Sequence, residues 1–487
     1  MSKVVVIGAG IAGLATAVRL QAKGHKVTVI EQADGPGGKL REKNDGSFRF
    51  DLGPSLFTLP ELVQEVLALG DLPATPFPFE KLDRSCHYFW EDGSTLVAFE
   101  DKKKLAKEVE EKLNGKGEEV LEHLMSSAFL YKHTAKLFMH RSLHKLSSYL
   151  SKTVLQALVR VHKFNLTTTL HEVNQKRFSN PKLVQLFDRY ATYNGSDPYR
   201  APGVLNIIPH LEHNIGTFFP AGGMFQISNS IYQRAKELGV TFQFNTRCEE
   251  IRIEKNRVQG VRTATEEIAA DVVVSNADVH PTYRHLLPNI PAPEKTLQSE
   301  RSSSAIIFYW GIKGSFDNLH LHNILFSEDY RGEFEQLFKG TALHPDPTVY
   351  INITSKCKAD DAPAGQENWF VMINAPANKG QDWEAWIPQA KEFILNKIER
   401  TLKRSIRELI VVEDILDPRG IEKKTSSFMG ALYGTSSNDR MAAFLRHPNF
   451  SQQLKGLYFC GGSVHPGGGI PLCLLSAKIV DELIPNA

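Results

Sequence analysis

A chain of 487 residues has room for two or three domains and large cores. Its 57 Lys and Arg against 55 Asp and Glu leave a formal charge of +2, so no global field points to nucleic acid, and none is expected as a partner. No stretch reaches the roughly 18 uninterrupted apolar residues of a membrane-crossing helix. Ser2 to Ile7 is a short β-branched run and predicts a buried parallel strand with no signal peptide ahead of it. Gly8-Ala9-Gly10-Ile11-Ala12-Gly13 follows at once. Leu14 to Gly24 has helical spacing, Lys26 to Ile30 reads as the next strand, and Glu31 stands at its carboxyl end. Gly8 suits the tight turn, Gly10 lets backbone approach a pyrophosphate, and Gly13 lets helix and strand pack closely. The helix N-terminus offers free N–H groups to phosphate, and Glu31, about 20 residues on, suits a ribose diol. The order strand, motif, helix, strand, acid predicts a dinucleotide, without choosing between NAD and FAD.

Gly37 and Gly38, followed by Lys39, Leu40 and Arg41, fit a second loop around a pyrophosphate. Asp51-Leu52-Gly53-Pro54-Ser55-Leu56 supplies another point of close approach. Pro60 to Leu69 is a predicted helix, Cys86 to Phe99 a hairpin, and Asp101 to Glu122 a charged helix with a solvated face. Residues 123–171 contain no Asp or Glu but carry Lys132, Lys136, Arg141, Lys145, Lys152, Arg160 and Lys163 among Phe, Leu, Tyr and Val. That composition fits a basic amphipathic segment lying in a membrane interface, and equally a helical pair packed on its own domain.

Lys182 to Tyr193 reads as a helix, and a turn at Phe218 to Met224 leads into another ending near Gly239. Val240 to Phe244 and Glu249 to Ile253 read as strands that pair with Arg257 to Arg262. Ala270 to Asp278 reads as a buried strand, and residues 291–454 hold strands at Ala305 to Trp310 and Trp369 to Ile373 with a helix near Trp383 to Leu402. Gly456 to Cys460 is a strand running into a glycine-rich loop, Gly461 to Pro471, and a closing helix, Leu472 to Ile484. The five cysteines form no C-x-x-C and read as small buried hydrophobes of a reducing compartment. The histidines show no metal spacing, and no metal is expected.

The C-terminal strand, glycine-rich loop and helix offer a second helix N-terminus to a large ligand, which favours a flavin over NAD. With Gly8 to Glu31, Gly37-Gly38 and Asp51 to Pro54, the chain resembles the glutathione-reductase-type FAD superfamily in its amine-oxidase-like branch. It resembles most closely the bacterial and fungal-type phytoene desaturase family of carotenoid biosynthesis. Pro220 to Met224, Ser275 to Val279, His322 to Ile324, Asp361 to Gly365, Arg446 to Asn449 and Tyr458 to Pro471 are similar to that family's motifs. Cys460 to Val464 and Cys248 depart from its usual residues.

The resemblance implies an α/β fold: a discontinuous Rossmann-like FAD-binding domain (1–75, 225–290 and 455–487) and a mixed α+β domain (76–224 and 291–454) that binds substrate and faces the membrane. It implies FAD contacts at Gly8, Gly10, Ile11, Ala12 and Gly13, at Glu31 and Gln32, and at Gly38, Lys39 and Leu40. Further contacts are implied at Gly53, Pro54, Ser55, Leu56, Cys248, Asn276, Gly461, Gly462, Gly469, Ile470 and Pro471. The implied activity is FAD-dependent desaturation of a C40 carotenoid, with oxygen or a quinone reoxidising the flavin. The enzyme is expected in the cytoplasm, attached peripherally to the inner face of the membrane. No catalytic side chain is assigned; Arg200, Asp197 and His322 are polar candidates for which structural roles are favoured. Other flavin chemistries (amine oxidation, carotenoid isomerisation or saturation) and a non-catalytic prenyl-lipid carrier remain as alternative readings.

Overall fold

The computed structural model describes residues 1–145, 164–439 and 446–487. The chain opens as read: strand β1 (Lys3–Ile7), helix α1 (Ile11–Ala22) and strand β2 (Lys26–Ile30). They belong to a five-stranded parallel sheet in the order 457–459, 272–275, β1, β2, 241–243. All five strands run the same way, so their carboxyl ends share one edge, the edge at which ligands bind in open α/β sheets. Both faces of β1 are covered, which is why Val4 to Val6 form an unbroken apolar run. Helix α1 is crossed by the closing helix, and its Ile11 to Leu20 stretch is buried.

The segment at 241–243 pairs with β2, not with 257–262 as its sequence suggested. Strands 248–254, 257–263 and 267–269 form a separate three-stranded antiparallel sheet. The left-handed Asn245 (φ 53°) turns the chain between the two sheets. The charged stretch after residue 101 is two helices, α2 (Lys102–Leu113) and α3 (Gly117–Phe138), broken where Asn114 adopts a left-handed conformation (φ 51°). Their faces are not all solvated. Leu105, Val109, Leu113, Val120 and Leu124 pack with Tyr88, Trp90, Phe187 and Phe326.

The remaining large sheet has seven strands in the order 410–416, 304–313, 366–375, 349–352, 322–325, 84–89, 95–99. One face carries Ile306, Phe308, Trp310, Leu325, Ile351, Val371 and Ile373 and packs on the helix Trp383–Leu402 through Ala390, Ile394 and Ile398. The two sheets are tied through Arg49, which lies on strand 48–51. Its guanidinium donates to Glu42 (2.7 Å), Asp51 (2.8 Å) and Asp361 (3.1 Å). Asp51 also accepts the Met224 and Phe225 amides, at 3.0 and 3.1 Å, at the start of the helix Phe225–Glu237.

No helix among the described residues is long and apolar enough to cross a membrane. Of the basic stretch, residues 146–163 lie outside the described residues, with Lys152, Arg160 and Lys163, as does the side chain of Lys136. Lys132, Arg141 and Lys145 are exposed.

Candidate active site

The carboxyl edge of the parallel sheet opens into a cavity of about 1400 Å³. It is lined at one end by Gly8, Gly10, Ile11, Ala12, Glu31, Gln32, Gly38, Lys39, Leu40, Gly53, Pro54, Ser55 and Leu56, and by Cys248, Asn276, Gly461, Gly462, Gly469, Ile470 and Pro471. All are residues the sequence singled out. Gly13 is the exception. A Cβ there would sit 2.1 Å from the Gly8 carbonyl, so its role is the close helix–strand packing, and it does not line the cavity.

Asn276, just past the strand 272–275, is wedged at the centre of this end. A Cβ on Gly10 would lie 2.8 Å from its Nδ2, and one on Gly461 would lie 2.8 Å from its Oδ1. Its backbone N–H donates to Ile7 (2.8 Å). The second loop docks on the first: Gly37 N–H donates to the Ala9 carbonyl (2.9 Å), and Gly38 stands so close to Gly10 that a Cβ would come within 3.1 Å of its Cα. No side chain caps the N-terminus of α1 and no acidic residue lies in its first turn, so its first amides are left without a capping partner at the cavity end. Glu31 accepts from the Ala9 amide (2.7 Å, Oε2) and the Ala33 amide (2.8 Å, Oε1). That fixes the carboxylate at the mouth of β2 while leaving each oxygen a further lone pair. Lys39 reaches the Leu432 carbonyl (2.8 Å), and its burial lowers its pKa from the usual lysine value.

The cavity continues onto part of the second face of the seven-stranded sheet, the rest of which packs on Phe48 and Phe50 and on the helices α2 and α3. Side chains alternate across a strand, so Phe370 and Met372 point opposite to Trp369 and Val371. Ile307, Met372, Tyr350 and Ile324 sit side by side in register on this wall. Thr134, Phe138, Met139, Val204, Leu205, Ile207, Ile208 and Leu211 close it from the other side. The sequence reading placed several of these strands but not the face each presents. It also passed over the stretch 426–434 after the helix Pro418–Thr425, which contributes Ser426, Leu432 and Tyr433; the left-handed Ser426 and Met429 mark that stretch only once the structure is in hand.

The polar candidates separate. Arg200 is bound to Glu300 (3.1 Å) outside the cavity. Asp197 accepts the Tyr199 amide (2.8 Å), and its own N–H donates to Asn438 (2.7 Å), as a loop organiser. Only His322 lines the cavity, beside two residues the sequence did not flag, Arg189 and Tyr193. Burial would raise the Glu212 carboxyl behind them, but Arg189, His213 and two tyrosine hydroxyls hold it at about 2.

Residues 11–480 match the family described as flavin containing amine oxidoreductase. The chain is 53% identical over 486 residues to a 1-hydroxycarotenoid 3,4-desaturase of Flavobacterium sp. (strain P99-3), covering all of this chain and 99% of that one. It is 31% identical to a 4,4'-diaponeurosporene oxygenase of Staphylococcus aureus (strain MSSA476), covering 99% and 97%. A solved oxidoreductase from Methanosarcina mazei shares the fold with a TM-score of 0.62 at 15% identity, covering 99% of this chain and 100% of that one. The residues present fit an FAD. Glycines leave a Cβ-free cradle against the uncapped helix end, a fixed carboxylate stands at the carboxyl end of β2, and a broad hollow lies beyond.

Glu31→Ala is expected to weaken FAD binding by roughly 1.5–3 kcal/mol, because hydrogen bonds to a charged acceptor are lost. Titration of the apoprotein with FAD measures this, and an unchanged affinity would remove Glu31 from the site.

Proposed function

The chain belongs to the flavin containing amine oxidoreductase family as an FAD-dependent oxidoreductase of carotenoid-desaturase type, and from that premise we propose that it oxidises a C–C bond of a C40 carotenoid to C=C. The reading covers phytoene and later acyclic or γ-carotene-type intermediates. The name of the Flavobacterium relative favours, among these, an acyclic carotenoid bearing a hydroxyl near one end. The observation that carries the proposal is that one hollow joins the glycine cradle to an apolar sheet face.

Bound FAD would supply the hydride acceptor. The protein's residues do the rest by position. Gly10, Gly38 and the start of α1 hold the phosphate end. The 53–56 loop and the 468–471 loop border the hollow where cradle and apolar wall meet. Ile307, Met372, Ile324 and Phe370 hold a hydrocarbon chain and exclude water. Loss of hydride beside a polyene leaves positive charge spread over the conjugated system. The adjacent proton is then acidic, and water or a weak carboxylate suffices to take it. This explains how a site whose apolar wall shows no paired carboxylates among the described residues can perform the reaction. The FAD-binding residues named above, the two-domain division and the electron acceptor, oxygen or a quinone, are part of this reading.

A C40 hydrocarbon has almost no free concentration in water, since each buried CH₂ is worth about 0.8 kcal/mol. The enzyme therefore collects it from a bilayer. Thr134, Phe138 and Met139 line the cavity, and Lys132, Arg141 and Lys145 stand exposed on the same stretch of chain. That favours the membrane-interface reading of the basic segment, with the protein on the inner membrane face.

Incubation of the FAD-loaded protein with acyclic carotenoids is expected to shift their absorption to longer wavelength. Peroxide released from an amine, with no such shift, would replace desaturation by amine oxidation. Changing Lys132, Lys136, Arg141, Lys145 and Lys152 to Gln is expected to release the protein from anionic liposomes and slow turnover of membrane-dissolved carotene, with the flavin spectrum untouched. Sedimentation like that of the parent would make the segment a packed helical pair.

A further inference from the structure

The apolar wall of the cavity carries one buried polar cluster whose hydrogen bonds do not close. His322 is 3% exposed and lines the cavity. Its Nδ1 lies 2.7 Å from the Tyr350 hydroxyl and 3.2 Å from Asn352 Nδ2. The Asn352 Nδ2 also donates to the Leu321 carbonyl (3.0 Å), which only accepts, so the amide orientation is fixed and His322 Nδ1 is an acceptor. Burial pushes the ring down to about 4 and keeps it neutral. Its single proton therefore sits on Nε2, which has no partner among the described residues.

Arg189, 4% exposed and also lining the cavity, repeats the pattern. Its terminal nitrogens donate to Tyr193 (2.7 Å) and Tyr88 (2.6 Å), while its Nε is buried without a partner. His322 and Arg189 line the same cavity, and the Arg189 and Glu212 charges push the His322 ring in opposite directions. Two residues of the cavity lining thus each carry a buried N–H donor with no acceptor among the described residues. A plain hydrocarbon supplies none, whereas a hydroxyl or carbonyl oxygen does. Glu212, 3.4 Å from Arg189, cancels its charge and favours a neutral oxygen over a carboxylate. The cluster is also tied to the loop at the cradle: the Tyr350 hydroxyl that meets His322 lies 2.6 Å from Ser55 Oγ.

We propose that His322 and Arg189 bind an oxygen function near one end of the polyene, and that this anchor selects a C–C bond close to that end for the reaction at the Gly53–Leu56 loop. The inference rests on the carotenoid reading above and adds the residues that set substrate class and register.

The test uses the FAD-loaded full chain with two acyclic polyenes of equal length, one with a tertiary hydroxyl at one end and one without. Binding is read from the polyene absorption band, and turnover separately. The parent is expected to bind the hydroxylated chain at least about tenfold more tightly. His322→Phe is expected to erase that preference by weakening only the hydroxylated polyene. The flavin spectrum should not move, because Tyr350 keeps Ser55 and Asn352 keeps the Leu321 carbonyl. His322→Gln, which retains a side-chain N–H, is expected to restore part of the preference. It also serves as the test variant if the Phe variant does not fold, and an unchanged preference ratio in both would overturn the proposal. A parent without preference, or equal weakening of both polyenes in His322→Phe, would overturn it too. Absence of turnover with either polyene would count against the desaturase reading alone, since the binding ratio still decides the anchor.

Discussion

The crowding around Asn276 is the constraint on which this structure turns. Its side chain fills the point where three strand ends meet, and the backbone comes near only because Gly10, Gly13 and Gly461 lack a Cβ. A side chain on Gly10 or Gly461 would come within 2.8 Å of the Asn276 amide, and on Gly13 within 3.1 Å. The glycines conventionally read as ligand contacts therefore serve the protein first. They let β1, the strand 272–275 and the strand 457–459 bring their carboxyl ends together, and that edge is the cradle proposed for the FAD. Glu31 and Gly37 then fasten the neighbouring turns to Ala9.

From that cradle the rest follows by division of labour between two sheets. The parallel sheet is buried on both faces and spends its glycines on one edge. The seven-stranded sheet gives one face to the helix Trp383–Leu402, and part of the other lines the cavity beside the packed Phe48 and Phe50. Arg49, with Asp51 and Asp361, ties the two through a buried charge cluster. Removing either kind of partner from such a cluster would strand a buried charge, so the relative placement of cradle and apolar wall is held firmly.

What was legible in the sequence was local. The first 31 residues declare a βαβ unit because strand, turn, helix and acid follow one another without interruption, and the C-terminal glycines declare their loop for the same reason. The line Trp369 to Ile373 is readable as a strand, but which residues face the hollow depends on its pairing with 304–313 and 349–352 and on which face the long helix covers. The assignment of 241–243 failed because a short strand carries no mark of its partner, here β2, more than two hundred residues upstream. The break between α2 and α3 was visible as Asn114-Gly115-Lys116-Gly117, a stop signal that high charge on both sides obscured. Arg189 and Tyr193 carried no motif; they matter only because the fold brings them to the cavity that His322 also lines.

The central claim is that one hollow holds both the flavin and the polyene. Anaerobic titration of the FAD-loaded protein with a pure acyclic carotenoid tests it most directly. The oxidised flavin band is expected to bleach in step with the growth of a longer-wavelength polyene band, one flavin reduced for each double bond formed. A polyene that changes while the flavin stays oxidised, or that binds without either band moving, would contradict it.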